Sequence, residues 1–301
     1  MRILVAGELL WDVFPDSERL GGAAFNFAAH ARKLGHEVIF LSAVGEDGRG
    51  RAALARAAEI GLPAEYIQQV PDAPTGIVTV ALDGAGKPAF TIHRPAAYDY
   101  LRLDGAALAR LAAWKPDWLY YGTLHQADPH IRALDRRLME ALPGARRFYD
   151  INLRANCYSA ELLDDLVRRA HVVKLNDDEV VEVDRLFART HTGFEDFCRD
   201  WSVQLGWDAA CITRGAAGCA VYAGGRYAEV PGYAVRVVDT VGSGDAFAAA
   251  FLHGLALGWP PERAGDFANR LGAVVASRAG GVPDWTPADC AALGPRAAGA
   301  L

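Results

Sequence analysis

Cysteine is scarce and scattered: five residues, Cys157, Cys198, Cys211, Cys219 and Cys290, form no Cys-x-x-Cys pair and have no histidine at ligand spacing. That pattern argues against a structural zinc site and a disulfide scaffold, and it fits reduced thiols in a cytoplasmic protein. Positive charge is also short. Lys and Arg number 31 against 37 Asp and Glu, a net charge of −6, and no basic block is present. A nucleic-acid partner is therefore not expected, although an acidic average leaves room for a local phosphate site. No apolar run approaches the roughly 20 residues that span a bilayer, and even "AFAAAFLHGLALGW" (246–259) is shorter and carries His253. The opening "MRILVAGELLWDVF" is interrupted by Glu8 and Asp12 and lacks a small-residue cleavage site, so it reads as a strand and not as a signal peptide. Several signatures are missing as well: no Gly-x-x-x-x-Gly-Lys-Ser/Thr, no Gly-x-Gly-x-x-Gly after the first strand, no His-Glu-x-x-His, no Gly-x-Ser-x-Gly and no protein-kinase set.

What is present is 301 residues with 51% hydrophobic content, enough for a sizeable core. Short β-branched or apolar runs ("RILVAG", "EVIFLS", "DWLYYG", "RFYDIN", "HVVKLN", "AACITRG") alternate with 3.6-periodic, alanine-rich stretches at 23–34, 49–60, 105–113, 129–141, 160–169, 194–205, 246–257 and 261–277. Gly35, Gly61 and Gly258 follow three of these, where a left-handed residue closes a helix. The alternation predicts an α/β fold, a mostly parallel sheet sandwiched by helices, with ligands at the carboxyl ends of the strands. Residues 75–93, "TGIVTVALDGAGKPAFTIH", alternate with period two around the turn "DGAGKP" and predict an antiparallel hairpin. With a strand near 9–14 it would make a small antiparallel β lid, inserted at about 9–20 and 75–98 of one domain spanning 1–301. An antiparallel extension of the main sheet fits the pattern equally well. The small-residue tail "GPRAAGAL" is expected to fray.

The segment "DTVGSGDAF" (239–247) places Gly242 and Gly244 before an apolar, alanine-rich helix that starts at Ala246. Amides of residues 242–245 at a helix start would offer aligned donors and a positive dipole end to an anion, with the Asp245 carboxylate beside them. That combination suits phosphoryl transfer to a hydroxyl: the donors hold charge developing on the phosphoryl oxygens while the carboxylate accepts the proton. The same residues also fit a plain turn with Ser243 or Asp245 as a cap.

Two segments carry a resemblance. "GGAAFNFAAHARKLG" (21–35) and "DTVGSGDAF" (239–247), in this order and separation, resemble the signatures of the ribokinase-like, or PfkB, carbohydrate kinase family, and the chain looks most like its bacterial fructokinases. "VGEDGRG" (44–50), "DINLR" (150–154), "KLNDDE" (174–179) and "ITRGAAG" (212–218) also look like family segments. The resemblance implies a ribokinase-like fold with Asp245 as the base and Gly242, Ser243 and Gly244 as the anion hole. Serine at 243 departs from the small residue, often alanine, that is usual there. Asp12, Gly22, Asn26 and Arg94 are implied as sugar contacts. From the residues alone, Asp12 is a solvated turn acid, Asn26 an ordinary polar helix position and Arg94 a solvated arginine. Arg154 is implied to reach the transferred phosphate, and it could instead pair with Asp150.

Lys174, Asn176, Thr213, Gly215, Gly218 and Asn269 are implied as cofactor contacts, Glu179 as a Mg²⁺ residue acting through water, and Asp239 as a K⁺ ligand. An N-cap at Asn176 and a loop-stabilising Asp239 are alternatives that need no ligand. The implied activity is ATP- and Mg²⁺-dependent phosphorylation of a free sugar at a primary hydroxyl, with fructose first and K⁺ as an assisting ion. The partners are then small molecules, neither nucleic acid nor membrane, with a homodimer through the lid. Other sugars or nucleosides (2-keto-3-deoxygluconate, ribose, adenosine), or a silent binding protein, are the rivals.

Overall fold

The computed structural model describes residues 1–82 and 88–294. Most of the expected hairpin turn and the tail at 295–301 lie outside the described residues. The chain forms two compact units, Met1–Asp117 with His125–Ala145, and Trp118–Leu124 with Arg146–Leu301.

The first unit carries β1 (Arg2–Ala6), β2 (Leu10–Val13), β3 (Glu18–Gly21), β4 (Glu37–Gly45), β5 (Ile67–Val70), β6 (Gly76–Leu82) and β7 (Pro88–His93). Strands β1, β4 and β5 are parallel in the order β1-β4-β5. Ile3, Leu4 and Val5 of β1 are fully buried, as expected for a strand covered on both faces. The other four strands make a sheet of their own, β3-β2-β6-β7, so the hairpin is not an extension of the main sheet. Strands β6 and β7 pair antiparallel, as the alternation predicts, while β2 runs parallel to β6 and antiparallel to β3. Asp47 of "VGEDGRG" has a local task. Its carboxylate caps helix Gly48–Ile60 at the Gly50 amide (2.7 Å) and also accepts from the Thr75 amide (2.9 Å) and hydroxyl (2.8 Å), pinning the root of β6.

The second unit carries β8 (Trp118–Gly122), β9 (Arg146–Asp150), β10 (Val172–Asn176), β11 (Ala209–Thr213), β12 (Cys219–Ala223) and β13 (Arg226–Val230), in the order β13-β12-β11-β10-β9-β8. Strands β8 to β11 are parallel, and β12 and β13 continue antiparallel. The register sets Asp150 opposite Lys174 and Asn176 opposite Thr213, which aligns the carboxyl ends of β9, β10 and β11. Helices Ser243–Ala256 and Pro261–Ala276 pack against each other in this unit. Helices Pro129–Ala141 and Phe194–Leu205 have the predicted bounds. Gly35, Gly61 and Gly258 have φ of 85°, 83° and 67°, the left-handed closures expected.

One boundary moves in an informative direction. The helix expected from Ala246 begins at Ser243, so Ser243, Gly244 and Asp245 occupy its first turn. First-turn amides have no intrahelical acceptor, so a helix can start on residues of poor propensity without losing a hydrogen bond.

Candidate active site

The site in the second unit begins at Gly242. This residue caps helix Ser243–Ala256 in the left-handed region, at φ 77°, and a Cβ there would come within 2.4 Å of Gly281 Cα. Both the dihedral and the close approach require glycine. No side chain caps this helix, and the Ser243 hydroxyl instead donates to the Thr240 carbonyl (2.8 Å). The Ser243 hydroxyl therefore does not close the first turn, and N–H groups at a helix start suit an anion. Asp245 lies in that turn and is buried.

Beneath it lies Lys174. A methyl added at Gly244 would sit 3.4 Å from Lys174 Nζ, so the ammonium borders the first turn directly. Lys174 Nζ donates to both oxygens of Asp150 (3.0 and 3.2 Å), as their paired register permits, and the Tyr120 hydroxyl donates to Asp150 Oδ2 (3.3 Å). Asp150 is 0% exposed. Burial works against a charged lysine, but the carboxylates of Asp150, Glu179 and Asp245 outweigh it and hold Lys174 above the ordinary lysine range. One cation thus stands among three acids. This overturns the alternative that Asp150 pairs with Arg154. Arg154 is exposed, its guanidinium donates to the Leu153 carbonyl (3.1 Å), and among the described residues it has no ion-pair partner.

Asn176 and Glu179 form a reciprocal cap on helix Asp177–Leu186: Asn176 Oδ1 accepts from the Glu179 amide and Glu179 Oε2 from the Asn176 amide, each at 2.8 Å. Glu179 Oε1 also accepts from the Leu153 amide (2.7 Å). Burial pushes the Glu179 carboxyl up, against the pull of Lys174 and of these amides. Among the described residues no three His, Cys, Asp or Glu side chains converge as a direct metal cage. The donor set instead fits a Mg²⁺ ion held through its water shell and phosphate oxygens, with Glu179 and Asn176 as outer contacts. Asp239 braces its loop, accepting from the amides of Val241 and Gly280 (3.0 Å each).

A cleft of about 340 Å³ runs through this unit. Its lining includes Thr213, Gly215, Gly218, Ser243, Gly244 and Asn269, so six of the sequence-predicted residues share one cavity that reaches the helix start. Asn269 is buried, and its Nδ2 donates to the carbonyls of Val230 (3.1 Å) and Pro231 (3.2 Å).

The four remaining predicted residues belong to the first unit. Asp12 lies on β2 and is buried, with its carboxylate against Gly21, so it is no solvated turn acid. Gly22, at φ 105°, caps helix Ala23–Lys33, whose Ala23 amide donates to the buried Glu8 carboxylate (2.9 Å). Asn26 lies in the first turn of that helix and is 2% exposed, so this polar helix position is a buried one. Arg94 is not a solvated arginine: its Nη2 and Nε donate to the buried Asp99 carboxylate (2.5 and 3.2 Å). His125 is buried with Nε2 on the Tyr98 carbonyl (2.9 Å), and burial lowers it to about 4, so it is a neutral structural residue.

The model of the family described as "pfkB family carbohydrate kinase" matches residues 3–288 of this chain. The chain belongs to the pfkB family of carbohydrate kinases. A probable fructokinase-5 of Arabidopsis thaliana is 28% identical, covering 97% of this chain and 96% of its own length. An aminoimidazole riboside kinase of Salmonella typhimurium is 26% identical over 83% of this chain and 80% of its own. The crystal structure of a fructokinase with bound ATP from Xylella fastidiosa superposes with a TM-score of 0.82 at 24% identity, covering 93% and 94% of the two chains.

Three features of this pfkB kinase escape a reading of the residues in order. The Asp150–Lys174–Tyr120 group is formed by three separate strands, and only register joins it. The cleft wall from Gly232 to Val237 carries no motif. Glu8 looks like an interruption of an apolar run, yet its position on the Ala23 amide makes it the cap of a distant helix. Among the described residues no helix is long and apolar enough to cross a membrane.

Proposed function

We propose that this pfkB kinase transfers the γ-phosphoryl group of ATP to a primary hydroxyl of a free sugar, with fructose as the first candidate. The observation that carries the reading is the cleft that ends on Ser243 and Gly244 beside Asp245, with Lys174 underneath. Asp245 is the proton acceptor for the attacking hydroxyl, and the first-turn amides take charge developing on the phosphoryl oxygens. Lys174 adds a fixed positive charge at the same place and, through Asp150, cannot swing away. The exposed Arg154 is left to reach the phosphates. Mg²⁺, with Glu179 and Asn176 as outer contacts, would neutralise charge on the phosphate oxygens when bound. Asp12, Gly22, Asn26 and Arg94 are assigned to the sugar, and Asp239 to an assisting K⁺. The small sheet β3-β2-β6-β7 is assigned as the lid and as the face through which two copies pair.

The relatives named for fructose favour that substrate, and the riboside kinase among them keeps a riboside as the second reading. A coupled ADP-release assay with Mg²⁺ across fructose, ribose, 2-keto-3-deoxygluconate and adenosine tests both. The expected outcome is the highest kcat/KM on fructose. A higher value on ribose or adenosine selects the second reading, and no turnover on any of the four overturns the assigned substrate class.

A further inference from the structure

The first unit holds an ion pair of unequal halves. In the pair of Arg94 with Asp99 the arginine side chain is 18% exposed and the aspartate 2%, whereas Arg56–Glu59 and Arg168–Asp164 are exposed on both sides. Exposed pairs of that kind contribute little to a fold. Asp99 is a different case. Burial pushes its carboxyl up, against the Ala96 amide and the Arg94 charge that pull it down, so a neutral residue would serve the fold at lower cost. Its surroundings are nevertheless firmly anchored. The Ala97 amide donates to the carbonyl of Pro74 (2.8 Å), next to the Thr75 that Asp47 pins. His125 Nε2 donates to the Tyr98 carbonyl (2.9 Å) and His130 Nε2 to the Leu101 carbonyl (2.9 Å), while the Asp99 carboxylate itself accepts from the Ala96 amide (2.9 Å). From this mount Asp99 takes the guanidinium of Arg94 side-on, through Nη2 (2.5 Å) and Nε (3.2 Å), at 5.8 Å from the Tyr98 ring centre. Two bonds to one carboxylate fix the plane of a guanidinium and with it the direction of its other N–H groups.

Resting on the assignment of Arg94 to the sugar, we infer that Asp99 is a positioning residue of the acceptor site, acting through Arg94, whose guanidinium it aims, and not on the sugar itself. A lone arginine samples many rotamers, and a ligand that uses one of them bears the entropy of stopping the rest. Here the fold has borne that cost before the sugar arrives. The asymmetry of the pair follows from the same role: the acid that aims sits inside, and the arginine that is aimed keeps its access to solvent. Affinity for the acceptor therefore depends on a carboxylate that never meets it.

The test is a double-mutant cycle on the full chain, read in KM for the best of the four acceptors in the ADP-release assay. Arg94→Met and Asp99→Asn are each expected to raise that KM by about tenfold or more, the size of a hydrogen bond to a charged group, with kcat and KM for ATP within a few-fold. Asp99→Asn keeps an oxygen for the Ala96 amide, so the segment stays anchored while the hold on the guanidinium is lost. The double variant should show no larger acceptor KM than Arg94→Met alone, because Asp99 then has nothing to aim. A smaller rise in Asp99→Asn, when Arg94→Met shows the full one, overturns the inference and leaves Arg94 its assignment. An effect of Asp99→Asn that persists in full beside Arg94→Met also overturns it, making Asp99 a part of the fold or a contact in its own right. An unchanged acceptor KM in Arg94→Met removes Arg94 from the acceptor site and the inference with it, as does a lack of turnover on all four acceptors. Should denaturant unfolding show that Asp99→Asn does not fold, Asp99→Glu replaces it in the cycle: the charge stays, the added methylene shifts the guanidinium, and the same outcomes decide.

Discussion

Two buried aspartates, one in each unit, face opposite circumstances. Asp150 ends a parallel strand of the second unit and is held by the Lys174 ammonium and the Tyr120 hydroxyl. Asp135 lies in the middle of helix Pro129–Ala141 in the first unit, on the buried stripe with Ile131, Leu134, Leu138 and Met139, and among the described residues neither of its oxygens has a hydrogen-bond partner. Burial alone pushes the Asp135 carboxyl up to about 7. Burial of an acid is therefore not by itself a mark of function. What separates the two is company: a buried charge that is paired and hydrogen-bonded can remain charged, and the cation that pairs Asp150 borders the first turn of helix Ser243–Ala256.

Three substitutions press on that contrast, from the largest expected effect to the smallest. Asp245→Asn keeps the shape of the helix start but removes the carboxylate proposed as the proton acceptor, so turnover should fall by about 10²–10⁴-fold while KM for ATP and sugar stays within a few-fold. Steady-state kinetics checks this, and unchanged turnover assigns the base elsewhere.

Lys174→Met strands Asp150 as an uncompensated charge. It should lower stability by about 3–5 kcal/mol in denaturant unfolding and reduce turnover as well. Adding Asp150→Asn to it should restore most of the stability and none of the turnover. Recovery of turnover in the double variant would mean that the lysine serves the fold alone.

Asp135→Asn tests the other side of the comparison. The folded carboxyl, at about 7, is raised above its ordinary 3.8, so the folded protein binds the proton more tightly than the unfolded chain. The stability this contributes is present below pH 3.8 and is lost as pH rises through about 7. The variant escapes that loss. Its advantage over the parent should be about 2–3 kcal/mol larger at pH 8 than at pH 5, with kcat unchanged. A parent whose stability is flat between these two pH values would contradict the assignment.

Much of the architecture is legible in the residues because α/β alternation and helix periodicity are local. The glycines closing three helices and the bounds of helices Pro129–Ala141 and Phe194–Leu205 follow from patterns that never leave their own segment. The helix at Ser243 defeats the same logic by three residues, since starts are read from a side-chain cap and this one has a bare left-handed glycine. Strand β5 and the edge pair β12 and β13 carry weaker alternation and pass unnoticed. At the site, the residues of "DTVGSGDAF" announce themselves through chemistry, whereas the partner of Asp150 depends on which strand lies beside β9. Arg154 is the nearer cation along the chain, and Lys174 is the nearer one in space. Asn26 resists reading for a related reason: burial of a polar residue is decided by what packs against its helix, and no spacing within the helix records that.

The contact between Gly242 and Gly281 reaches further than its size suggests. The stretch that follows helix Pro261–Ala276 contains none of the residues assigned to chemistry, yet its backbone is the floor on which the proposed phosphate cradle rests, fastened by packing at Gly281 and by the bond from the Gly280 amide to Asp239. An insertion or deletion there would tilt those amides without altering a single group that takes part in the reaction, and the resulting enzyme would keep every recognisable signature while losing its aim.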